Sequence, residues 1–207
     1  YGDVNSTIAA ALVCAKSGIR FGHVEAGLRS FDRTMPEEIN RIVTDQLADM
    51  LFTPSIDGNE NLLREGISED KIYFVGNVMI DTLVRLLPKA EKQWEQIASD
   101  FDLYKKPYCL VTLHRPSNVD NPIILADIFN ALVEISMNIH VIFPVHPRTR
   151  ERLKETGVKA PDTLSLIDPV GYLDFLALQR HAALVITDSG GIQEETTFLQ
   201  VPCLTVR

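Results

Sequence analysis

The sequence predicts an α/β protein built on parallel sheets, and two observations carry this prediction. Short apolar runs alternate with helix-like segments along all 207 residues, as expected where helices connect parallel strands. The apolar runs are nearly continuous, which is typical of strands buried on both faces of a sheet. A long helix-like stretch at 80–98 separates two series of this alternation, so we predict one domain at 1–80 and a second at 81–207.

The first series opens with a helix at 8–17, which Ser6 or Thr7 can cap and Gly18 can end. The strand expected to precede this helix is missing from the sequence. The other predicted elements of this series are strands at 19–24, 50–53 and 72–75 and helices from Pro36 and at 56–64.

The helix that starts at Pro36 carries two acids, Glu37 and Glu38, in its first turn, where the helix dipole favours negative charge. Taken alone, these acids are typical of a solvated first turn. Apolar residues recur at helical spacing and predict a buried stripe. The stripe consists of Ile39, Ile42, Val43 and Leu47.

The second series follows the long helix, which we expect to be interrupted at Pro88. Strands and helices alternate to the end of the chain. The predicted strands are at 108–113, 140–145, 164–167, 184–187 and 202–206, and the predicted helices are at 122–136, 149–156, 172–180 and after Gly190.

Composition and charge exclude several classes of function. The net charge of −8 argues against nucleic-acid binding, since nucleic-acid-binding proteins usually carry a basic face. The longest apolar run, at 8–15, is far shorter than the roughly 20 residues of a membrane span. Cys14, Cys109 and Cys203 are odd in number and lie in apolar runs, so we expect buried free thiols and a cytoplasmic protein.

A candidate anion site lies where the strand at 184–187 meets Asp188, Ser189, Gly190 and Gly191. The order indicates a buried strand, a tight turn and a helix N-terminus, whose unpaired backbone N–H groups and positive dipole attract anions. Glycines let a phosphate approach the backbone and permit the positive φ of a sharp turn. A plain strand-to-helix turn explains this stretch equally well.

Polar residues recur at the predicted carboxyl ends of strands, where open parallel sheets bind their ligands. They are Asp3, Glu25, His114, His146 and Asp188. Each has a structural explanation when taken alone, and we expect His140 and His181 to be structural. Arg29, Arg115 and Arg148 are compatible with ordinary surface charges. Because several strand ends carry such side chains, we expect them to converge on one cleft or on two facing clefts.

Six motifs together resemble the non-hydrolysing UDP-N-acetylglucosamine 2-epimerases. The motifs are His23-Val24-Glu25-Ala26-Gly27-Leu28-Arg29, Pro36-Glu37-Glu38-Ile39-Asn40-Arg41, Gly76-Asn77 with Ile80-Asp81, Thr112-Leu113-His114-Arg115, Pro144-Val145-His146-Pro147 and Asp188-Ser189-Gly190-Gly191-Ile192-Gln193-Glu194-Glu195. The resemblance implies two Rossmann-like domains in the glycosyltransferase-B arrangement, the first one incomplete, with the active site in the cleft between them. It also implies a homodimer that supplies precursors of bacterial surface polysaccharides.

The reaction implied by the resemblance interconverts UDP-N-acetylglucosamine and UDP-N-acetylmannosamine. The proton on C2 leaves, UDP departs from C1, and UDP then adds back to the 2-acetamidoglucal while a proton arrives on the other face of C2. This route needs an acid, a base and a firm hold on UDP, but no redox cofactor and no metal. By matching position, the catalytic set is Asp3, Glu25, Glu37 and His114. The carboxylates serve proton transfer at C2, and His114 lies near the departing diphosphate.

The resemblance also assigns the nucleotide site. Ser189, Gly190 and Gly191 bind the diphosphate, and Glu195 accepts hydrogen bonds from the ribose hydroxyls. Arg115 and His146 match positions that, in bacterial members, touch a second substrate molecule acting as an activator.

The chain departs from the family at both ends. It lacks the N-terminal glycine- and arginine-containing turn of the UDP site with the strands around it, and it stops before the Thr-Glu-Arg-Pro segment. We therefore expect the 207-residue chain by itself to be inactive or poorly active, and its complete parent to be an epimerase. Three alternatives stay open: a hydrolysing epimerase, a glycosyltransferase of the same architecture, and a sugar-nucleotide sensor. Epimerases of diacetamido sugars share the same motifs.

Overall fold

The computed structural model describes residues 1–104, 106–155 and 157–206. These residues form two compact units, Tyr1–Asp81 and the described part of the chain from Thr82 onward. Each unit contains one sheet in which every pair of neighbouring strands is parallel. The predicted α/β class with Rossmann-like units is therefore confirmed, and we describe each unit by itself.

Unit 1 has a three-stranded sheet in the order β1-β2-β3. The strands are β1 Gly22–Val24, β2 Met50–Thr53 and β3 Ile72–Phe74; the helices are α1 Asn5–Lys16, α2 Pro36–Leu47 and α3 Ile56–Arg64, with a 3-10 turn at Glu69–Lys71. Its cluster of fully buried apolar residues consists of Ala26, Ala48, Leu51 and Leu62, and Phe21, Ile67 and Ile72 pack against it.

Unit 2 has a five-stranded sheet in the order β6-β5-β4-β7-β8. The strands are β4 Tyr108–Thr112, β5 His140–Pro144, β6 Leu164–Ile167, β7 Leu184–Thr187 and β8 Cys203–Thr205. The helices are α5 Pro116–Val119, α6 Pro122–Ser136, α7 Pro147–Glu155, α8 Tyr172–His181 and α9 Gly190–Leu199. Two apolar clusters form the core of the unit, one around Leu110 and Leu176 and the other around Val111 and Phe129.

The sequence missed the short helix α5 and the 3-10 turn, and β1 is shorter than predicted because it begins only at Gly22. The helix predicted at 149–156 is present as α7, but its predicted last residue, Thr156, lies outside the described residues. Arg207, the predicted end of the second domain, also lies outside them.

The prediction for the start of α1 was wrong. The helix begins at Asn5 after Val4, and no side chain caps it. Thr7 lies inside the first turn, where its hydroxyl donates to the carbonyl of Tyr1 at 2.9 Å. The C-terminal prediction is confirmed, since Gly18 follows the helix end with a φ of 68°.

The buried stripe predicted for α2 was also wrong. Ile39 is 48% exposed, and the four buried residues of the helix are Glu38, Asn40, Thr44 and Asp45. Such residues are buried only when they are paired. Here the buried face of the helix carries a hydrogen-bonded network instead of an apolar stripe.

The long helix α4, Val78–Asp100, is not interrupted at Pro88, contrary to the sequence prediction. A proline removes one backbone donor but leaves the other turns of a long helix intact. Leu83, Ala90 and Ile97 are buried on both sides of the proline, so packing in the core of unit 2 maintains the helix through this position.

All three cysteines are free, as predicted, but only Cys109 is fully buried; Cys14 and Cys203 are half-buried. In the part of the chain that the structure describes, no helix combines the length and the apolar character that crossing a membrane requires.

Candidate active site

The strand order of unit 2 reverses between β4 and β7, and this point carries the densest set of predicted site residues. The chain runs outward from β4 through β5 to β6 and then returns to β7 on the other side of β4. Ligands bind beyond the carboxyl ends of strands at such a reversal. His114 and Arg115 follow β4 there, and Asp188 follows β7.

Asp188 joins the two strand ends. Its carboxylate is completely buried and accepts hydrogen bonds from the backbone N–H groups of His114 and Arg115 at 3.0 and 2.9 Å. The amide of Asn118 donates to the same oxygen, Oδ2, at 3.0 Å. The ring nitrogen Nδ1 of His114 lies 2.7 Å from the other oxygen, Oδ1, and Arg115 Nε donates to the Asp188 carbonyl at 2.7 Å. Asp188 therefore fixes both the loop and the ring of His114, which is 63% exposed.

The helix α9 begins at Gly190, directly after Ser189, so its first turn faces the same end of the sheet. Neither Gly190 nor Gly191 has a positive φ, which corrects the expectation that the turn needs one. A Cβ atom added at Gly190 would meet no atom within 4 Å. The glycine therefore leaves open space above backbone N–H groups that the helix itself does not pair.

Glu195 lies in the next turn of α9 and is 6% exposed. Its Oε1 accepts a hydrogen bond from the hydroxyl of Tyr172, at the start of α8, at 3.0 Å. Its Oε2 is buried and has no hydrogen-bond partner of normal geometry among the described residues. Burial and the nearby charge of Glu194 raise the pKa of Glu195, although Tyr172 and Gln179 oppose that shift.

In unit 1, Asp3 lies at the carboxyl end of β1, where Gly2 N–H donates to the carbonyl of Val24 at 3.2 Å. The helix α2 holds this residue by two contacts. Asn40 donates to the Asp3 carbonyl at 2.8 Å, and Arg41 donates to its carboxylate at 2.5 Å. The first turn of α2, which includes Glu37, is therefore fixed beside Asp3.

Glu25 reaches the same end of β1 through an unusual backbone conformation. Its φ is 74°, a value that L-residues adopt at a cost. The backbone N–H groups of Glu25 and Ala26 both donate to the carbonyl of Phe52 at 3.0 Å, which helps to hold this conformation. A Cβ atom added at Gly2 would lie 3.6 Å from Glu25 Oε2, so this carboxylate lies close to the chain segment that carries Asp3.

Unit 1 also contains a buried chain of charges, which consists of His23, Asp45, Arg29 and Glu65. Asp45 is completely buried; its Oδ1 lies 2.6 Å from His23 Nδ1, and its Oδ2 lies 2.8 Å from Arg29 Nη1. Arg29 also donates twice to Glu65, at 2.7 and 2.6 Å. Burial lowers the pKa of Arg29, but its interactions with Glu65 and Asp45 outweigh burial and raise it. Arg29 is therefore a buried side chain that links the segment after β1 to α2 and to the end of α3. It is not the surface charge that the sequence allowed.

The remaining site residues are more accessible. Glu37 is exposed and makes no hydrogen bond or ion pair to any described residue, so it is open to a ligand. His146 follows β5 and is exposed; its Nδ1 accepts from the backbone N–H of Arg148 at 3.3 Å. Of the two histidines expected to be structural, His140 bonds to Ser165 and His181 to Glu91.

Sequence reasoning missed four residues of the site. Arg41 lies one helical turn after Glu37, and this spacing could have revealed it. Asp45, Tyr172 and the supporting role of Asp188 have no local signal, because their partners are distant in sequence.

Glu38 provides a test of the unit 1 network. The carboxylate is 1% exposed and accepts from the backbone N–H groups of Ser30 and Phe31, both at 2.9 Å. Burial raises the pKa of Glu38, but these bonds and the charge of Arg41 outweigh burial and lower it. Glu38→Gln is expected to reduce the free energy of unfolding by about 2 kcal/mol at pH 7, because one N–H group loses its charged acceptor.

The sign of the pH dependence follows from the lowered pKa. The stabilisation is present above the ordinary carboxyl pKa and is lost as the pH falls through the lower, folded value. Urea unfolding of both proteins at pH 7 and at pH 3 measures this, and their difference should shrink in acid. Glu37→Gln, on the same helical turn but exposed, is the control and should unfold like the wild type. An equal difference at both pH values would contradict this role for Glu38.

The chain is similar to proteins of one known family. The family model described as UDP-N-acetylglucosamine 2-epimerase matches residues 1–207. A UDP-N-acetylglucosamine 2-epimerase of Methanococcus maripaludis is 46% identical over 100% of this chain and 58% of its own length. A UDP-2,3-diacetamido-2,3-dideoxy-D-glucuronate 2-epimerase of Pseudomonas aeruginosa is 44% identical over 100% of this chain and 57% of its own length.

A solved structure gives the same result. The crystal structure of Methanocaldococcus jannaschii UDP-GlcNAc 2-epimerase in complex with UDP-GlcNAc and UDP is 48% identical, with a TM-score of 0.83 over 100% of this chain and 58% of that one. The chain thus spans somewhat more than half the length of the relatives it matches. Since the family model covers every residue and these identities extend over the whole chain, the chain belongs to the UDP-N-acetylglucosamine 2-epimerase family.

Proposed function

We propose that the protein to which these residues belong interconverts UDP-N-acetylglucosamine and UDP-N-acetylmannosamine. The observation that carries the proposal is the set of acids around the end of β1: the carboxylate of Glu25 lies close to the segment that carries Asp3, and Asp3 is bound by α2, the helix that bears Glu37. A glycosyltransferase would not need this group of acids. Family membership and the relatives named for this activity support the same reaction.

The proposed reaction proceeds by elimination and addition. A carboxylate of unit 1 removes the C2 proton while the C1–O bond to UDP breaks, leaving a 2-acetamidoglucal and free UDP. UDP then forms a new bond to C1, and an acid delivers a proton to the opposite face of C2. Nothing is oxidised or reduced. Carboxylates can perform both proton transfers when burial or neighbouring charges adjust their proton affinity.

We assign the binding of UDP to unit 2. The open first turn of α9 suits the diphosphate, since Gly190 and Gly191 present backbone N–H groups at the positive end of the helix dipole and Ser189 adds its hydroxyl group. The backbone N–H of Ser189 itself donates to Thr187 Oγ1 at 3.0 Å. Glu195 accepts hydrogen bonds from the ribose hydroxyls, and Oε2 is the oxygen without a hydrogen bond of normal geometry to a described residue. His114 Nε2 approaches the diphosphate, while Arg115 and His146 are the candidate contacts of a second substrate molecule.

The test uses the full-length gene product with UDP-N-acetylglucosamine, followed by ³¹P and ¹H NMR. We expect signals of UDP-N-acetylmannosamine to appear until both sugar nucleotides reach a constant ratio. Accumulation of free UDP together with N-acetylmannosamine would show a hydrolysing enzyme instead. The relative from Pseudomonas aeruginosa makes the diacetamido-glucuronate nucleotide the comparison substrate, and turnover of that compound alone would overturn the proposed substrate.

The raised pKa of Glu195 predicts how UDP binding depends on pH. The ionised carboxylate is the better acceptor for ribose hydroxyls, so affinity should fall as the pH falls through the raised pKa of Glu195. Tyr172 donates to the charged form and thereby favours it. In Tyr172→Phe the pKa of Glu195 should rise further, and the loss of affinity should begin at higher pH.

Isothermal titration calorimetry of UDP binding between pH 5 and pH 8 measures this difference. Protonation of UDP itself affects its binding to both proteins equally, so it does not contribute to the difference between their pH profiles. Tyr104→Phe removes an exposed hydroxyl that donates to the carbonyl of Glu95 and is the matched control. Identical pH profiles for the wild type and Tyr172→Phe would refute the role of this hydrogen bond.

Two further parts of the proposal, the homodimer and the polysaccharide precursors, come from the resemblance, and a third, the cytoplasm, comes from the free thiols. The protein acts in the cytoplasm, forms a homodimer and supplies precursors of surface polysaccharides. Light scattering coupled to size-exclusion chromatography of the full-length gene product tests the dimer, since a monomer at micromolar concentration would refute it.

A further inference from the structure

We propose that Asp188 is a positioning residue that fixes the tautomer and orientation of His114, so that Nε2 is the nitrogen that meets the diphosphate of UDP. This inference rests on the proposed function for its catalytic consequence. Its structural part, the hydrogen-bonded state of the ring, stands without it.

The first step concerns the partners of the carboxylate. Oδ2 of Asp188 accepts from three groups that can only donate, the backbone N–H groups of His114 and Arg115 and the NH₂ group of Asn118. Oδ1 faces the ring of His114 at 2.7 Å and also lies 3.1 Å from the backbone nitrogen of His114. A carboxylate oxygen only accepts, so Nδ1 must carry the hydrogen in this contact.

The second step concerns the ring. Because Nδ1–H is committed to Asp188, Nε2 is the nitrogen left for a ligand, and the 63% exposure of the side chain keeps it accessible. A buried carboxylate beside the ring also compensates the charge of an imidazolium, as in the triads of serine proteases. When UDP departs, charge grows on the phosphate oxygen at C1, and an Nε2–H group can donate to it.

The third step concerns what holds Asp188 itself. Its carboxylate is completely buried, and Arg115 Nε binds its backbone carbonyl at 2.7 Å. The position of the residue therefore does not depend on the ring of His114. Asp188 is the fixed member of the pair, and the exposed ring is the member that it orients.

These contacts predict what Asp188→Asn does. The three donors at Oδ2 keep the amide oxygen of the new side chain on their side, which places its NH₂ group opposite His114 Nδ1. That nitrogen must then accept a hydrogen bond, so in the neutral ring the hydrogen moves to Nε2, and an imidazolium loses its partner. The bonds to Oδ2 and the Arg115 contact survive, whereas the 3.1 Å bond from the His114 backbone N–H to Oδ1 is lost. This loss is the same in a His114→Ala background, so comparison of the two backgrounds isolates the effect on the ring.

The experiment compares the wild type, Asp188→Asn, His114→Ala and the double variant in the full-length gene product. We expect Asp188→Asn to lower kcat for epimerisation by about 100-fold or more, with the affinity for UDP within about threefold of the wild type. In the His114→Ala background the same change should cost less than about twofold, because Asp188 then has no ring to orient. Asp127→Asn, an exposed change on α6, is the control.

A spectroscopic readout tests the same inference without activity. Long-range ¹H–¹⁵N correlation spectra of ¹⁵N-histidine-labelled protein should show hydrogen on Nδ1 of His114 in the wild type and, in the neutral ring of Asp188→Asn, hydrogen on Nε2. The His114→Ala spectrum assigns the signal. A neutral wild-type ring with hydrogen only on Nε2, or an equal loss of kcat from Asp188→Asn in both backgrounds, would overturn the proposal. If the wild type shows the expected tautomer but no epimerisation, the proposed function fails while the positioning stands.

Discussion

Replacing Glu37 with glutamine is expected to lower the rate of C2 proton exchange by about 10²- to 10⁴-fold, the usual contribution of a group that transfers a proton in the transition state. Glutamine keeps the size and the hydrogen-bonding capacity of the side chain but cannot take or give this proton. Glu37 is exposed and without a described partner, so the substitution disturbs no buried contact. UDP affinity and the free energy of unfolding should stay unchanged.

The measurement is single-turnover exchange of the C2 proton in the full-length gene product. Glu60→Gln on α3 removes an equally exposed carboxylate of unit 1 and serves as the control, with wild-type exchange expected. Exchange at the wild-type rate in Glu37→Gln would remove Glu37 from the proton-transfer set and leave Asp3 and Glu25 as its candidates.

Asp45→Ala is expected to reduce the free energy of unfolding of unit 1 by about 3–5 kcal/mol, because removal of one member of a buried ion pair leaves its partners uncompensated. The substitution removes the acceptor of His23 and one of the two carboxylates that pair with Arg29, and it deprives Gly27 N–H of its 3.1 Å bond.

Hydrogen exchange measured by mass spectrometry locates this effect. Peptides that cover β1 and α2 should lose protection in Asp45→Ala. The single tryptophan, Trp94, lies in unit 2, where it stacks on Tyr108, so its fluorescence should report an unchanged unit 2. Glu60→Ala is the control in unit 1. Unchanged protection of β1 and α2 in Asp45→Ala would show that the buried chain of charges does not stabilise the unit.

Much of the fold could be predicted from the sequence, because apolar strands and capped helices leave local patterns. The helix Pro122–Ser136 and the strands Met50–Thr53 and Leu164–Ile167 were predicted to the residue. The apolar pattern of the sequence led to a wrong prediction where tertiary contacts override local preference. In α2, the apolar residues suggested the buried face, but long-range pairing of Asp45 with His23 and Arg29 decided it.

Part of the site could also be predicted, because the sheet topology follows from the sequence. Parallel topology brings strand ends together, so His114 and Asp188 could be expected to meet, and they do. Asp45 and Tyr172, which also hold the site, could not be found in this way. Their partners are distant in sequence, and such contacts leave no periodic signal. The positive φ of Glu25 is equally invisible, because it comes from the surrounding hydrogen bonds.

The proposed reaction requires that the hydrogen on C2 leaves the sugar and is replaced by a hydrogen from the solvent. The most direct measurement therefore incubates the full-length gene product with UDP-N-acetylglucosamine in deuterated water and follows C2 by ¹H NMR and mass spectrometry. We predict one deuterium at C2 of the UDP-N-acetylmannosamine formed and, with time, at C2 of the remaining substrate. Formation of UDP-N-acetylmannosamine that retains the original C2 hydrogen would contradict the proposed elimination.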